Sequence, residues 1–268
     1  GNIDVSLIEK AVTPSTRLIA PVHYAGQPAQ MAEIHAIAEK HNLFVIEDAC
    51  HALGALDGKE KIGGCTYSDM AVFSLHPVKH ITTGEGGIIT TNNKSIYERL
   101  KLLRSHGIAT SEQSWKKDMQ LLGYNYRITD IQCALGSSQL KRLDMFLEGR
   151  RRVAACYDSL LESSRFFTPL ERRSGIQHAY HLYPVLLDKT LDRDSFIEKA
   201  HETGIGLQVH YGAVYNHRYY QRNGYEGFSL TVAEDICARV VRLPMYPQLS
   251  ETDVKEIVER LNQIAEQG

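Results

Sequence analysis

Short apolar runs of strand length alternate with a segment of helical periodicity in the first third of the chain, and this restricts the fold more than any other feature. Residues 17–22, 43–47, 70–75 and 87–91 read as strands. Residues 29–41 place Met31, Ile34, Ile37 and Ala38 on one face of an amphipathic helix. Such alternation predicts an α/β fold, a mostly parallel sheet with helices on both faces. Ligands of these sheets gather where strands end at their carboxyl side. Asp48 falls at such an end, closing the run Phe44-Val45-Ile46-Glu47-Asp48. Lys79 follows the run Met70-Ala71-Val72-Phe73 by a few residues, in the loop before Gly84, Gly86 and Gly87.

Taken singly, a lysine near a glycine-rich turn is usually a solvated surface residue, and an aspartate after a strand is often a helix N-cap. Together they suggest more. A lysine held by rigid backbone at a strand end, its pKa lowered by its surroundings, condenses with aldehydes to a Schiff base. A carboxylate at the neighbouring strand end would keep a pyridine nitrogen protonated. Amine and acid so placed are the minimal constellation for pyridoxal 5'-phosphate. The glycines permit a tight turn but lack the spacing of a Walker or dinucleotide loop.

Helical patterns follow at 95–105 and 129–157, the second opening on Thr129 as N-cap and carrying Ile131, Leu135, Leu140, Leu143 and Phe146 at helical spacing. Beyond a boundary near 163, residues 179–187 read as a strand and 194–201 as a helix closed by Gly204. A short strand at 208–211 and an amphipathic helix at 252–265 complete a smaller α+β domain. The expected division is therefore 1–163 and 164–268. Tyr215, Tyr219 and Tyr220 form an aromatic cluster that reads as core packing in the second part, the border of a nucleotide being the other reading.

A net charge of −2 over 268 residues leaves no basic footprint for nucleic acid or anionic membrane. No apolar run approaches the roughly 20 residues of a spanning helix. Cys50, Cys65, Cys133, Cys156 and Cys237 are scattered, odd in number and without CxxC spacing, which favours reduced thiols and a cytoplasmic setting. His178 and His181 have no acid or cysteine at ligand spacing, so no metal is assigned.

Three segments, Val45-Ile46-Glu47-Asp48-Ala49-Cys50-His51-Ala52-Leu53-Gly54, residues 73–87, and Gly123-Tyr124-Asn125-Tyr126-Arg127-Ile128-Thr129-Asp130-Ile131-Gln132, resemble the DegT-type family of fold type I, pyridoxal phosphate-dependent sugar aminotransferases. The likeness extends to Leu243-Pro244-Met245 and the helical tail. Within the family it is nearest to members that aminate a UDP-linked 4-keto-6-deoxy-N-acetylhexosamine on the route to pseudaminic acid. That nearer match rests on His76-Pro77-Val78-Lys79, Ile81-Thr82-Thr83 and Gln208-Val209-His210-Tyr211.

The resemblance implies that Lys79 holds the cofactor aldehyde and then acts as general base, with L-glutamate as amino donor. It implies that Asp48 pairs with the pyridinium nitrogen, His51 packs near the ring, and Ser74 donates to the phosphate. By the same resemblance Asn125 reaches the phosphate of a neighbouring subunit, implying a homodimer with shared sites. His210 and Tyr211 match a segment lining the nucleotide-sugar site. Family members carry an earlier segment with a phosphate-binding turn, so the large domain is expected to be N-terminally incomplete here. Other sugars, such as a 4-keto-pentose, and an inactive homologue serving as a binding module stay open. Related sugar dehydratases replace the lysine with histidine, against which Lys79 argues despite His80 next door.

Overall fold

The computed structural model describes residues 1–110 and 115–267, which divide into two compact units. The first comprises Asn2–Asp144 with Gly175–Gln177; the second comprises Met145–Ser174 and the chain from His178 onward.

In the first unit, helix α1 (Val5–Ala11) precedes strand β1 (Leu18–Ile19), helix α2 (Met31–His41) and strand β2 (Phe44–Asp48). A small hairpin, β3 (Leu56–Asp57) and β4 (Glu60–Lys61), leads to β5 (Met70–Ser74) and β6 (Gly87–Thr90). Helix α3 (Lys94–Arg104), strands β7 (Ile108–Thr110) and β8 (Lys117–Met119), and helix α4 (Asp130–Leu140) follow. Helix α5 (Leu143–Leu161) carries the chain into the second unit. There β9 (Phe167–Pro169), β11 (Tyr183–Leu187) and β12 (Val240–Leu243) form an antiparallel sheet in the order β12-β11-β9. The intervening β10 (Ile176–Gln177) pairs instead with β3. Helices α6 (Arg193–Glu202), the single turn α7 (Arg218–Tyr220), α8 (Thr231–Arg239) and α9 (Glu251–Glu266) complete the second unit.

The sheet that matters for function has the order β1-β2-β5-β6. Its first three strands run parallel, with Ile19 opposite Val45 and Asp48 opposite Val72; β6 returns antiparallel, with Ser74 opposite Gly87. The parallel part is as expected, and the carboxyl ends of β2 and β5 consequently lie side by side. Ile19, Met31, Ile34, Ala38 and Val45 are buried together, which accounts for the helical stripe of α2. Asn42, left-handed at φ 53°, ends that helix.

The second unit buries Tyr157, Tyr183, Val185, Leu187, Leu243 and Leu261 in one cluster. Tyr157 and Tyr183 stack with ring centroids 4.8 Å apart, and the Tyr157 hydroxyl donates to Pro244 O at 3.0 Å. The buried Arg150 guanidinium donates from one nitrogen to the carbonyls of Tyr180, His181 and Met245.

Several expectations are corrected. The helix predicted over 129–157 breaks between α4 and α5, where Arg142 N–H bonds the Gln139 carbonyl and tightens the last turn. Thr129 does cap α4, in a capping box with Gln132. The predicted boundary at 163 differs from the structure, because Val153, Ala154, Tyr157 and Leu161 of α5 belong to the core of the second unit. The strand expected at 208–211 reduces to an isolated bridge between Gln208 and Arg242. Tyr219 and Tyr220 are exposed rather than core. No described helix is long and apolar enough to cross a membrane.

Candidate functional site

Parallel pairing decides where the acid goes. The Asp48 amide bonds the Pro21 carbonyl at 2.9 Å, its carbonyl accepts from His23 N at 3.0 Å, and Ala49 N bonds Val72 O at 2.9 Å. The backbone around Asp48 is thus tied to the strands on both sides. Its Oδ1 accepts from Cys50 N at 3.1 Å in a turn, not a helix cap. The Cys50 thiol is a further hydrogen-bond partner of this carboxylate.

Lys79 sits on the connection between β5 and β6. Its backbone N–H bonds the His76 carbonyl at 3.0 Å, and the adjoining His80, Ile81 and Thr83 are buried, which anchors the loop. The loop closes on itself: Leu75 N bonds Gly86 O at 2.9 Å and Thr83 N bonds Leu75 O at 3.1 Å. Gly86 is required here, because at φ 157° a β-carbon would lie 2.4 Å from Thr83 Oγ1.

The Lys79 ammonium is half-buried and, among the described residues, makes no hydrogen bond or ion pair. Burial pulls its pKa below the ordinary lysine value of 10.5; the Cys50 sulfur, once ionised, and the Asp48 carboxylate favour the charged form but do not outweigh burial. Those two influences place the amine and the acid in one electrostatic neighbourhood. Cys50 feels the same surroundings from the other side. Burial first, then Asp48, push its thiol up to about 11, so it is a neutral packing group.

Ser74 ends β5, and its Oγ accepts from His76 N at 3.3 Å. Its hydroxyl proton has no acceptor among the described residues. His51 is buried in the turn after β2, its ring 6.5 Å from that of Tyr24 and tilted by 54°. Asp48 and Ser74 thus close two adjacent strands, and the unpaired Lys79 amine shares the electrostatic surroundings of Asp48. This donor set suits a group with an aldehyde, a basic ring nitrogen and an anionic tail, and pyridoxal phosphate has all three.

Asn125 belongs to the same unit but is exposed, its backbone bridged to Ser105. The flanking Tyr124 and Tyr126 rings stack at 4.9 Å with only 6° between their planes, and both are exposed. His210 and Tyr211 lie in the second unit, their rings 4.6 Å apart beyond the Gln208–Arg242 bridge.

Sequence reading missed a buried chain behind the acid. Ser68 Oγ donates to Glu47 Oε1, Glu47 Oε2 accepts from His23 Nε2 at 2.9 Å, and His23 Nδ1 accepts from Ala29 N–H at 2.9 Å. The amide bond to Nδ1 leaves the imidazole proton on Nε2, aimed at the carboxylate. Strand alternation was the available signal. Val45 and Glu47 share a buried face, so a glutamate there demands partners.

The sequence pattern of the DegT/DnrJ/EryC1/StrS aminotransferase family matches residues 1–262. The chain is 37% identical over 271 residues to UDP-4-amino-4,6-dideoxy-N-acetyl-beta-L-altrosamine transaminase of Campylobacter jejuni, covering 99% of this chain and 71% of the relative. In three dimensions it is similar to PseC of Helicobacter pylori, an aminotransferase involved in the biosynthesis of pseudoaminic acid. That match has a TM-score of 0.93 and 32% identity, covering 100% of this chain and 71% of the other. It is also similar to the PLP-form of the putative sugar aminotransferase Spr1654 of Streptococcus pneumoniae, with TM-score 0.91, 26% identity and coverages of 99% and 72%.

The raised thiol pKa of Cys50 carries a test. A pKa moved up leaves less thiolate at any given pH below it. At pH 8, iodoacetamide should therefore modify Cys50 at least roughly tenfold more slowly in the folded protein than in the urea-unfolded chain. Equal rates by peptide mass spectrometry would contradict the described environment.

Proposed function

From the chain's membership of the DegT/DnrJ/EryC1/StrS aminotransferase family, we propose that it transfers an amino group from L-glutamate to a UDP-linked 4-keto-6-deoxy-N-acetylhexosamine, as in pseudaminic acid biosynthesis. The fold is that of fold type I aminotransferases, and the cofactor is pyridoxal phosphate. The names of the similar transaminases support the choice of sugar. The observation that carries the reading is the half-buried, unpaired Lys79 amine beside Asp48.

When bound, the cofactor supplies an electron sink that makes a proton on the adjoining carbon removable. Lys79 Nζ is the group that takes and returns that proton. Its lowered pKa favours this, because a neutral amine is a base and an ammonium is not. The Asp48 carboxylate would hold the ring nitrogen, keeping it protonated by a charge-assisted hydrogen bond. The Ser74 hydroxyl would donate to the phosphate, and buried His51 would limit water at the ring. His210 and Tyr211 contribute to the sugar-nucleotide side.

The working form is a homodimer in the cytoplasm, with Asn125 serving the partner's site. Exposed apolar side chains support this: Leu122, Tyr126 and Ile131 are 76%, 70% and 84% exposed, and Tyr124 and Leu135 are exposed beside them. Loss of so much apolar surface to solvent is unusual outside an interface.

Incubation with pyridoxal phosphate followed by borohydride should leave a cofactor adduct on Lys79. Glutamate and a panel of UDP-4-keto sugars should yield aminated product by mass spectrometry. An adduct mapped to another lysine would overturn the assignment. Asp48→Asn should lower transamination on the order of a hundredfold while thermal unfolding barely moves, because it removes charge and not core volume; full activity would remove Asp48 from the site. Ile131→Asp should convert a sedimenting dimer to monomer, and a wild-type protein that sediments as monomer ends the shared-site idea.

A further inference from the structure

One face of α4 is moulded to the loop that bears Lys79. Gln132, Gly136 and Gln139 are spaced four and three residues apart and so line a single stripe of the helix. Gln139 Oε1 accepts from the Thr82 amide at 3.0 Å, and Gln132 Nε2 donates to the Glu85 carbonyl at 2.9 Å. Between them, a β-carbon on Gly136 would lie 2.8 Å from Thr83 Cγ2, so the glycine lets the loop rest against the helix. Thr82 relays the hold inward. Its hydroxyl donates to Leu75 O and accepts from Gly84 N, each at 2.8 Å. The neighbouring Ile131 and Leu135 point elsewhere and are exposed.

We propose that Gln132, Gly136 and Gln139 form a cradle that fixes the lysine loop, making Gln139 a positioning residue for the Lys79 amine. The functional weight of this rests on Lys79 being the reactive amine, but the positioning itself does not. Gln132 also caps α4 through Thr129, so its removal would disturb two things at once. Gln139 makes a single bond to the loop and is the cleaner probe. With that bond gone, the loop loosens and water reaches the amine, relieving the burial that holds its pKa down.

The test uses the protein without added cofactor. Lys79 is titrated by competitive acetylation across pH with peptide mass spectrometry, and amide exchange is followed over the loop. In Gln139→Leu the Thr82 amide should exchange at least tenfold faster. The Lys79 pKa should rise by half a unit or more, a roughly threefold fall in neutral amine near pH 8. Gly136→Ala, which keeps both glutamines, should raise the pKa in the same direction by pushing Thr83 away. Leu187→Ala is the control for general destabilisation. Fully buried in the second unit, it should lower the melting temperature and leave the Lys79 pKa alone. An unchanged Lys79 pKa in Gly136→Ala, or in a folded Gln139→Leu, overturns the proposal even if melting temperatures fall. A borohydride adduct on a different lysine ends the reading of the preceding section and leaves this result standing.

Discussion

A lysine kept half out of water without a counter-ion opposes folding, and the architecture of the first unit can be understood as the means of tolerating it. Removing an ammonium from solvent favours its neutral form, the state in which it is a base. The scaffold prevents relief by movement. Buried His80, Ile81 and Thr83 pin the loop beyond the lysine, and the β5–β6 ladder pins its ends. Asp48 is near enough to steady the ammonium, but its attraction does not outweigh the cost of burial. A direct ion pair would have restored an ordinary or raised pKa and an inert amine.

Strand β2 delivers two adjacent carboxylates to opposite faces, with different fates. Glu47 points into the core, where His23 and Ser68 satisfy it. Asp48 ends the strand, where Cys50 and the Lys79 amine share its surroundings. The two are linked through the backbone, since His23, which holds Glu47 by its ring, also donates its amide to the Asp48 carbonyl. Fixing the structural acid therefore fixes the chemical one. A buried carboxylate that lost such a partner would cost several kcal/mol, on the order of 3–5.

Much of this was legible from residue patterns, and the failures have physical causes. The parallel strands, the strand-end position of Asp48 and the loop position of Lys79 follow from local apolar runs and glycine punctuation. The Glu47–His23–Ser68 chain does not, because its members lie on separate segments and only tertiary folding joins them. The stripe of Ile131, Leu135 and Leu140 has helical spacing, which signals a covered face but does not say what covers it. All three are exposed. The break between α4 and α5 left no glycine or proline to mark it. Tyr219 and Tyr220 show the same limit, since aromatic clustering cannot separate a core from a binding surface.

The antiparallel return of β6 bears on how such a scaffold diversifies. Ser74 and Gly87 face each other in the ladder, so the segment carrying the amine starts and finishes at one point of the sheet. Its crown, with exposed His76, Pro77, Val78 and Glu85, is free to vary in sequence without dragging either strand out of register. The nitrogen of Lys79 is thus carried by a segment whose two ends cannot drift apart.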